Sequence, residues 1–325
     1  MKNINARTLG VVLAILTIGF VFIMAKSTSR AHHFENALQA WNEVGVDLLY
    51  EIDQIEVFDQ QNYHAYTGKR DIRDNLSRQR YMQYSEVLFE HQYKHNPETL
   101  KNFDLAIQTW LGYVDGQHDQ NAKLRLHATQ FCINVVYKFY KASGKNPPSE
   151  LVDKIVSINP TQLMEDIIRN ECGTLTFFNA NPKAHKMVML PENSPYAIDD
   201  VTLFLEKSLA FYKETDRLGV WANPDPFFED IPEWASYATS SSNYLITMNL
   251  AMRRLYLNQR FLVISCAARN YKNKHGQYPA NWKEMVDAYP SLQDINDIGY
   301  QVNEDGLKLS GELLPNRKRL TWQWH

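Results

Sequence analysis

The sequence predicts a mainly α-helical protein with an N-terminal transmembrane helix, a helical body, and a small C-terminal antiparallel β meander packed on a long helix. Three observations predict this fold class. An uncharged apolar stretch lies near the N-terminus, apolar residues recur at steps of three and four through most of the chain, and a period of two appears only near the C-terminus. The predicted parts are a tail at 1–7, an anchor at 8–25, a mainly helical extracytoplasmic body at 26–241, and a module of long helix, turn and β meander at 242–325.

Composition and charge narrow the class of protein. The chain has 325 residues, 44% of them hydrophobic and 12% aromatic, which is enough for a substantial core. It carries 34 Lys and Arg against 37 Asp and Glu, and this balance lacks the basic excess that neutralises nucleic-acid phosphates, so we predict no nucleic-acid partner. Cys132, Cys172 and Cys266 have no metal-binding spacing, which favours small buried hydrophobes over zinc ligands or reactive or bridged thiols.

Residues 8–25, TLGVVLAILTIGFVFIMA, form the predicted anchor, since they contain no charge and are bounded by Arg7 and Lys26. A helix of this length rises about 27 Å and nearly spans the apolar core of a bilayer. A cleavable signal peptide is the alternative, because Lys2 and Arg7 form a positive n-region, but the apolar stretch is long for such a peptide and no clean small-x-small pair follows. We predict a single-pass protein of the cell inner membrane of a bacterium with its body in the periplasm, the orientation that a short N-terminal tail favours.

Amphipathic patterns predict the helices of the body. The first apolar stripe consists of Phe34, Leu38, Trp41, Val44, Leu48 and Ile52. Further helical patterns lie at 80–95, 99–114, 122–144, 147–158, 160–170 and 197–216. Between the last two, Gly, Asn and Pro interrupt β-branched and aromatic residues, so 170–200 is interpreted as a loop with room for one short strand.

A single long helix is predicted from 242 to 274, and its broad apolar arc indicates burial on two sides. Its arginines are expected on the remaining face or beside carboxylates; they are Arg253, Arg254, Arg260 and Arg269. Gly276 should end the helix in the left-handed conformation, Pro279 should start the turn, and Asn281 should cap a short helix. Alternating apolar residues at 298–302, 307–309 and 320–324 predict three antiparallel strands whose apolar face packs on the long helix.

The turn after the long helix carries a family resemblance. The run Tyr271-x3-His275-Gly276-x-Tyr278-Pro279, followed by a short helix and a hairpin, resembles the junction of major type II secretion pseudopilins. It is also similar to a broad class of uncharacterised bacterial single-pass membrane-anchored proteins that end in the same module. The resemblance covers about residues 252–325. Here the apolar segment lies far upstream of the long helix and the pseudopilin processing motif is absent, which favours the second group.

The resemblance also implies calcium in the terminal loops, as in major pseudopilins. The acidic residues in about that region are Asp294, Asp297, Glu304 and Asp305. They lack an EF-hand-like spacing, so a solvated loop is favoured and we predict no metal and no cofactor.

The stretch at 219–243 is rich in Pro, acidic residues and aromatic rings, and is the candidate binding region. Its rings could form a platform for a peptide or a sugar; they are Trp221, Phe227, Phe228, Trp234 and Tyr237. The alternative is that these rings simply fill the end of the helical body.

No catalytic residue is predicted, although some polar groups could in principle bind a metal or act as acid and base. His91 and His95 share a helix face beside Glu90, but no third metal ligand is indicated and a solvated face is favoured. The serines at 240–242, with Asn243, are interpreted as a helix N-terminus. The pairs at 199–200 and 229–230 could serve as general acid and base if the fold brings carboxylates together.

These patterns favour a binding or scaffold role over an enzymatic one. We expect a membrane-tethered extracytoplasmic protein of the bacterial envelope that contacts the membrane through its N-terminal helix and has an envelope protein as partner. The alternative is an envelope hydrolase whose active site is assembled from dispersed acidic and His residues.

Overall fold

The fold was obtained as a computed structural model, which describes residues 6–48, 129, 133, 146–180, 197–304, 306–313 and 319–324. The described chain is mainly helical and ends in a small three-stranded antiparallel sheet, as predicted. The predicted helices at 80–95 and 99–114, with His91 and His95, lie outside the described residues. Of the one at 122–144, only Thr129 and Ile133 are described, and both are helical and buried.

The described helices and strands follow in chain order. The helices are α1 (Ala6–Asn42), α2 (Ser149–Val156), α3 (Pro160–Ala180), α4 (Ala197–Leu218), α5 (Asp225–Phe228), α6 (Ser236–His275) and α7 (Trp282–Ala288). Short 3-10 helices lie at Gly219–Trp221 and Pro290–Leu292. The strands are β1 (Ile298–Asn303), β2 (Gly306–Glu312) and β3 (Arg319–Trp324), in the order β1-β2-β3.

The described residues fall into two compact units, each built from separate stretches of chain. The first unit takes its residues from 1–57, 168–213 and 224–244. The second takes its residues from 58–167, 214–223 and 245–325. The predicted division at 241/242 stays a prediction.

In the first unit, α1 ends at Asn42, so the prediction of one helical stripe through Ile52 is wrong. The N–H of Val46 donates to the carbonyl of Trp41 (3.1 Å), and the N–H of Gly45 donates to that of Asn42 (2.9 Å). Gly45 has a φ of 80°. This pair of bonds around a left-handed glycine is a Schellman motif, which turns the chain out of the helix.

The predicted anchor lies within α1. In the described part of the chain, none of the helices combines the length and the apolar character that a membrane crossing requires. The side chains of residues 8–16, 22 and 23 lie outside the described part, and the anchor stays a prediction.

The loop predicted at 170–200 is wrong for its first third, because α3 continues to Ala180. The hydroxyl of Thr174 donates to the carbonyl of Asn170 (2.7 Å), and that of Thr176 donates to the carbonyl of Cys172 (2.9 Å). Cys172 and Thr176 are fully buried, and burial of this face outweighs the low helix propensity of the β-branched residues. Residues 181–196 lie outside the described part.

The long helix also begins earlier than predicted, at Ser236 rather than 242. Its first turn is capped by a side chain from α4: the N–H groups of Tyr237 and Ala238 donate to the two carboxylate oxygens of Asp200 (2.9 and 2.8 Å). The prediction of a helix N-terminus at the serine run is therefore wrong, because a carboxylate distant in sequence supplies the cap. The serines at 240–242 lie inside α6.

In the C-terminal module, which lies in the second unit, the predicted helix end, helix cap and three strands are confirmed. Gly276 has a φ of 80° and ends α6, and the side chain of Asn281 accepts the N–H of Glu284 (3.0 Å) at the start of α7. The three strands lie on α6, where the rings of Phe261 and Trp322 are 5.6 Å apart. The sheet approaches so closely that a Cβ at Gly311 would lie 2.7 Å from a methyl group of Leu257.

Arg253 does not lie on an open face of α6, which was one of the two places expected for its side chain. It is 1% exposed. Its guanidinium donates to the backbone carbonyls of Val220 (2.8 Å), Ala222 (2.8 Å), Trp221 (3.2 Å) and Leu313 (3.2 Å). A single planar cation thereby fastens the 3-10 turn and the end of β2 to the middle of α6.

Candidate binding surface

A partly exposed row of aromatic and charged side chains lies in the second unit and includes one predicted site residue, Trp221. The Trp221 ring meets the Tyr256 ring edge to face, with 5.6 Å between centroids and 84° between planes. The Arg260 guanidinium lies over the Tyr256 ring, 4.2 Å from its centroid. Arg260 in turn faces Asp297, with 3.9 Å between Nη1 and the carboxylate. We call these four side chains, Trp221, Tyr256, Arg260 and Asp297, the ladder.

Local structure explains why these groups align. Tyr256 and Arg260 are four residues apart on α6, so their side chains lie one above the other on one helix face. Trp221 ends the 3-10 turn that Arg253 holds through its carbonyl (3.2 Å), and the Arg253 guanidinium also lies 5.6 Å from the Trp221 ring centroid. Asp297 comes immediately before β1. The ladder is therefore fixed to a helix, a clamped turn and a strand end.

The electrostatics of the ladder favour a neutral tyrosine beside a charge pair. Burial raises the pKa of Tyr256, and the neighbouring Asp297 carboxylate raises it further, while Arg260 opposes the shift. Trp221 is 37% exposed, so one ring remains available to a ligand. Exposed ring surface next to a guanidinium and a carboxylate can stack on a flat group and pair with amide or hydroxyl groups around it.

The other predicted site residues lie in the first unit and do not share one surface role. Phe227 and Phe228 pack against Phe211, with ring centroids 5.9 and 5.7 Å apart. Phe228 and Tyr237 are buried, as in the alternative in which rings fill the helical body. Trp234 is 49% exposed, and its binding role stays a prediction.

The Gly-x-Tyr-Pro junction forms its own set of contacts in the second unit. The Tyr271 hydroxyl donates to the Glu284 carboxylate, which also accepts the N–H of Ala280 (2.7 Å). These bonds hold the pKa of Glu284 below its usual range, with the tyrosine bond as the largest cause. The Tyr300 hydroxyl donates to the carbonyl of Pro279 (2.8 Å). The junction thus joins the end of α6, the start of α7 and β1.

Tyr278 and the basic end of α6 complete the junction. Tyr278 is buried, and the Lys272 ammonium lies 4.4 Å from its ring centroid. The His275 ring stacks on Tyr271 at 4.2 Å. These contacts explain the two Tyr positions of the sequence motif through packing.

The acidic pairs considered as acid and base have other partners. Asp199 forms an ion pair with Arg30 (2.9 Å), whereas Asp200 caps α6. Asp230 contacts the Lys207 ammonium at 2.5 Å. Within the described ranges, no three His, Cys, Asp or Glu side chains come close enough to hold a metal ion.

The two described cysteines are poor nucleophiles. Burial raises the pKa of the Cys172 thiol far above its usual range. It raises the pKa of Cys266 from 9.0 to about 12, with Arg269 opposing the shift. Since the thiolate is the reactive form, neither thiol is reactive. Cys172 is buried, as predicted, whereas Cys266 is only half-buried.

Comparison of the chain with protein-family models, with curated proteins and with solved structures found no match. The pseudopilin-like module therefore stays an expectation from the sequence.

The sequence identified Trp221 as a site residue but not Tyr256, Arg260 or Asp297, although Arg260 was expected on an open face or beside a carboxylate and does face Asp297. One signal was present, because Tyr256 and Arg260 stand at i and i+4 outside the main apolar stripe of α6. Their pairing with Trp221 and Asp297 depends on contacts across long stretches of sequence, and no local pattern encodes those contacts.

Proposed function

We propose that the protein is a membrane-tethered binding protein of the bacterial envelope, anchored by residues 8–25, whose body recognises a protein partner through the ladder. The observation that carries this proposal is the ladder itself. A ring that is 37% exposed, backed by a second ring and followed by a guanidinium and a carboxylate, has the composition of a protein-recognition surface. Aromatic and arginine side chains supply much of the binding energy at such surfaces.

The rigidity of the ladder supports a binding role. Arg253 holds the turn that carries Trp221 through contacts with three carbonyls, those of Val220, Trp221 and Ala222, so little side-chain and loop freedom remains to be lost when a partner binds. In the described part of the chain, the Cys172 thiol has a strongly raised pKa, and Asp199 and Asp230 form ion pairs with Arg30 and Lys207. These groups therefore do not support a catalytic mechanism.

The tether is supported by the sequence of α1 and by its described side chains. Ile18, Phe20, Val21 and Met24 are all more than half exposed, an arrangement that suits contact with lipid. After carbonate extraction, we expect the full chain to remain in the membrane pellet. Protease added to spheroplasts should digest the body, and complete protection in sealed spheroplasts would reverse the orientation.

A photocrosslinking experiment in intact cells tests the ladder as the binding surface. Benzoylphenylalanine is placed at position 221 and, as a control, at position 254, which is exposed elsewhere on α6. We expect a discrete crosslinked protein from 221 and none from 254. The product from 221 should disappear when Arg260→Glu is added, since this change reverses one charge of the ladder.

The same experiment can refute the proposal. If 221 and 254 give the same products, or if the product from 221 survives Arg260→Glu, the ladder does not select the partner. Circular dichroism and trypsin resistance of the Arg260→Glu protein show whether the fold is intact. An unfolded variant is replaced by Arg260→Gln, which removes the charge with a side chain of similar length.

A further inference from the structure

The outer edge of β1 is one of the two edges of the C-terminal sheet. In the order β1-β2-β3, β1 has β2 as its one strand neighbour among the described residues. An antiparallel strand bonds its neighbour through alternate residues, so the other alternate residues of Ile298–Asn303 direct their N–H and C=O groups to the outer edge. Four of the six residues of β1 are exposed. This edge has the geometry that accepts an additional strand.

The sequence and pairing of β1 lack two features that protect many edge strands, namely charged or proline residues and a bulge. Its sequence, IGYQVN, contains no Lys, no Pro and no other charged residue. Its pairing with β2 runs without a bulge from Ile298 opposite Gly311 to Asn303 opposite Gly306. At the other edge of the sheet, β3 begins with Arg319, whose guanidinium contacts Glu312 at 3.1 Å.

The charges around β1 identify the kind of strand that it would accept. Asp294 and Asp297 precede β1, Glu304 follows it, and all three are exposed; Asp297 also faces Arg260 of the ladder at 3.9 Å. An extended peptide with basic residues on both sides of its pairing segment would match these carboxylates at both ends. A second β1 paired antiparallel would instead place Asp297 of one copy near Glu304 of the other, and like charges there disfavour that dimer.

We propose that the outer edge of β1 binds an extended peptide segment with basic flanks, which pairs as a fourth strand of the C-terminal sheet. The inference deepens the proposed function, because Asp297 belongs to the ladder and stands next to the first residue of β1. The ladder and the β1 edge then form one continuous recognition surface within the second unit. Hydrogen bonds between the β1 backbone and the peptide backbone supply the contact, and the carboxylates beside β1 select a peptide with basic flanking residues.

The test uses the purified full chain and a fluorescent peptide of alternating Thr and Val, about six residues long to match a typical strand, with two Lys at each end. Fluorescence anisotropy measures binding, and hydrogen exchange locates it. We expect saturable binding that weakens with added salt, and slower amide exchange in β1 but not in β3. Two control peptides carry either Glu in place of every Lys or N-methyl groups on every residue of the pairing segment.

Each control isolates one part of the proposal. The Glu-flanked peptide should bind at least about tenfold more weakly, since several exposed charge pairs are lost together. The fully methylated peptide should not bind, because it has no backbone donors. In the protein, Asp294→Lys and Glu304→Lys should each weaken binding of the Lys-flanked peptide about two- to fivefold. Both side chains are exposed, so these variants should fold normally.

Several outcomes would overturn the inference. They are the absence of binding, equal affinity for Lys- and Glu-flanked peptides, undiminished binding of the methylated peptide, and protection at β3 instead of β1. A concentration-dependent dimer in sedimentation that Glu304→Lys abolishes would assign the edge to a second copy. A crosslink from position 221 that persists when the peptide fails to bind would leave the proposed function intact and refute only the β1 edge.

Discussion

The buried guanidinium of Arg253 gives the sharpest test of how the second unit is held together. In Arg253→Met, four carbonyl oxygens lose a charged donor while the side-chain volume changes little. The carbonyl of Val220 keeps a bond from the Asn249 amide (3.3 Å). The carbonyls of Trp221, Ala222 and Leu313 lose the donor that Arg253 supplied.

The cost follows from these three carbonyls. An unmet buried acceptor costs about 1–3 kcal/mol, and the lower value applies here because the turn at Trp221 is partly open to water. We therefore expect the free energy of unfolding to fall by about 3–4 kcal/mol in Arg253→Met. Arg253→Lys should lose about 2 kcal/mol, since an ammonium retains the charge but cannot reach all four acceptors.

Urea unfolding followed by circular dichroism measures these changes, with hydrogen exchange at 219–222 as a local probe. The matched control is Arg254→Met, the exposed neighbour on the same helix, which should stay within about 0.5 kcal/mol of the wild type. If Arg253→Met costs less than about 1 kcal/mol, the clamp does not hold the turn. Unchanged amide exchange at 219–222 would lead to the same conclusion.

Three further predictions concern the C-terminal module and are measured by urea unfolding. Gly276→Ala should cost about 1 kcal/mol, because φ is 80° and no atom crowds the new Cβ; Gly276→Asn should recover most of it. Gly311→Ala should lower the free energy of unfolding by about 1–3 kcal/mol, because the new Cβ pushes β2 against Leu257. The double variant Gly311→Ala/Leu257→Ala should lose less stability than the sum of the losses in the two single variants. Tyr271→Phe should reduce the loss of stability in acid. The lowered pKa of Glu284 stabilises the fold above the ordinary carboxyl pKa, and this contribution disappears as the pH falls through the lowered value.

Each of these predictions has an outcome that contradicts it. Equal stability of the Ala and Asn variants at Gly276 would show that the left-handed conformation is not the cause. Additive costs for Gly311 and Leu257 would mean that the strand and the helix do not press on each other there. An unchanged pH profile in Tyr271→Phe would remove the tyrosine bond as the main cause of the Glu284 shift.

The sequence predicted the C-terminal module well because its signals are local. A glycine after a basic helix end, an asparagine before a short helix, and alternating apolar residues each specify the backbone within a few residues. Gly276 and Asn281 act as predicted, and the strands fall at the alternating stretches. The architecture of the module could therefore be predicted from the sequence, including the helix on which the sheet lies.

The first unit was predicted less well because tertiary contacts decide the start of α6 and the end of α3. Asp200 supplies the cap of α6 from another helix, so the N-terminus moved away from the serine run that looked like a cap. Burial of Cys172 and Thr176 carried α3 through a stretch whose local propensity favours a loop. Asp200 lies far along the chain from the helix end that it caps, and the burial that extends α3 comes from tertiary packing and not from local sequence.

The buried polar residues of α6 extend this argument to the candidate binding surface. Gln259 donates to the carbonyls of Ile155 and Ile158 (2.8 and 2.9 Å), as Arg253 does to the turn that carries Trp221. In a periodicity plot, both are polar interruptions of an apolar arc and resemble surface positions. Their function is to satisfy carbonyls at the ends of neighbouring segments that local bonds leave open. The ladder consequently depends on Arg253, and loss of its clamp should reduce partner recognition at Trp221 even when Trp221, Tyr256 and Arg260 are unchanged.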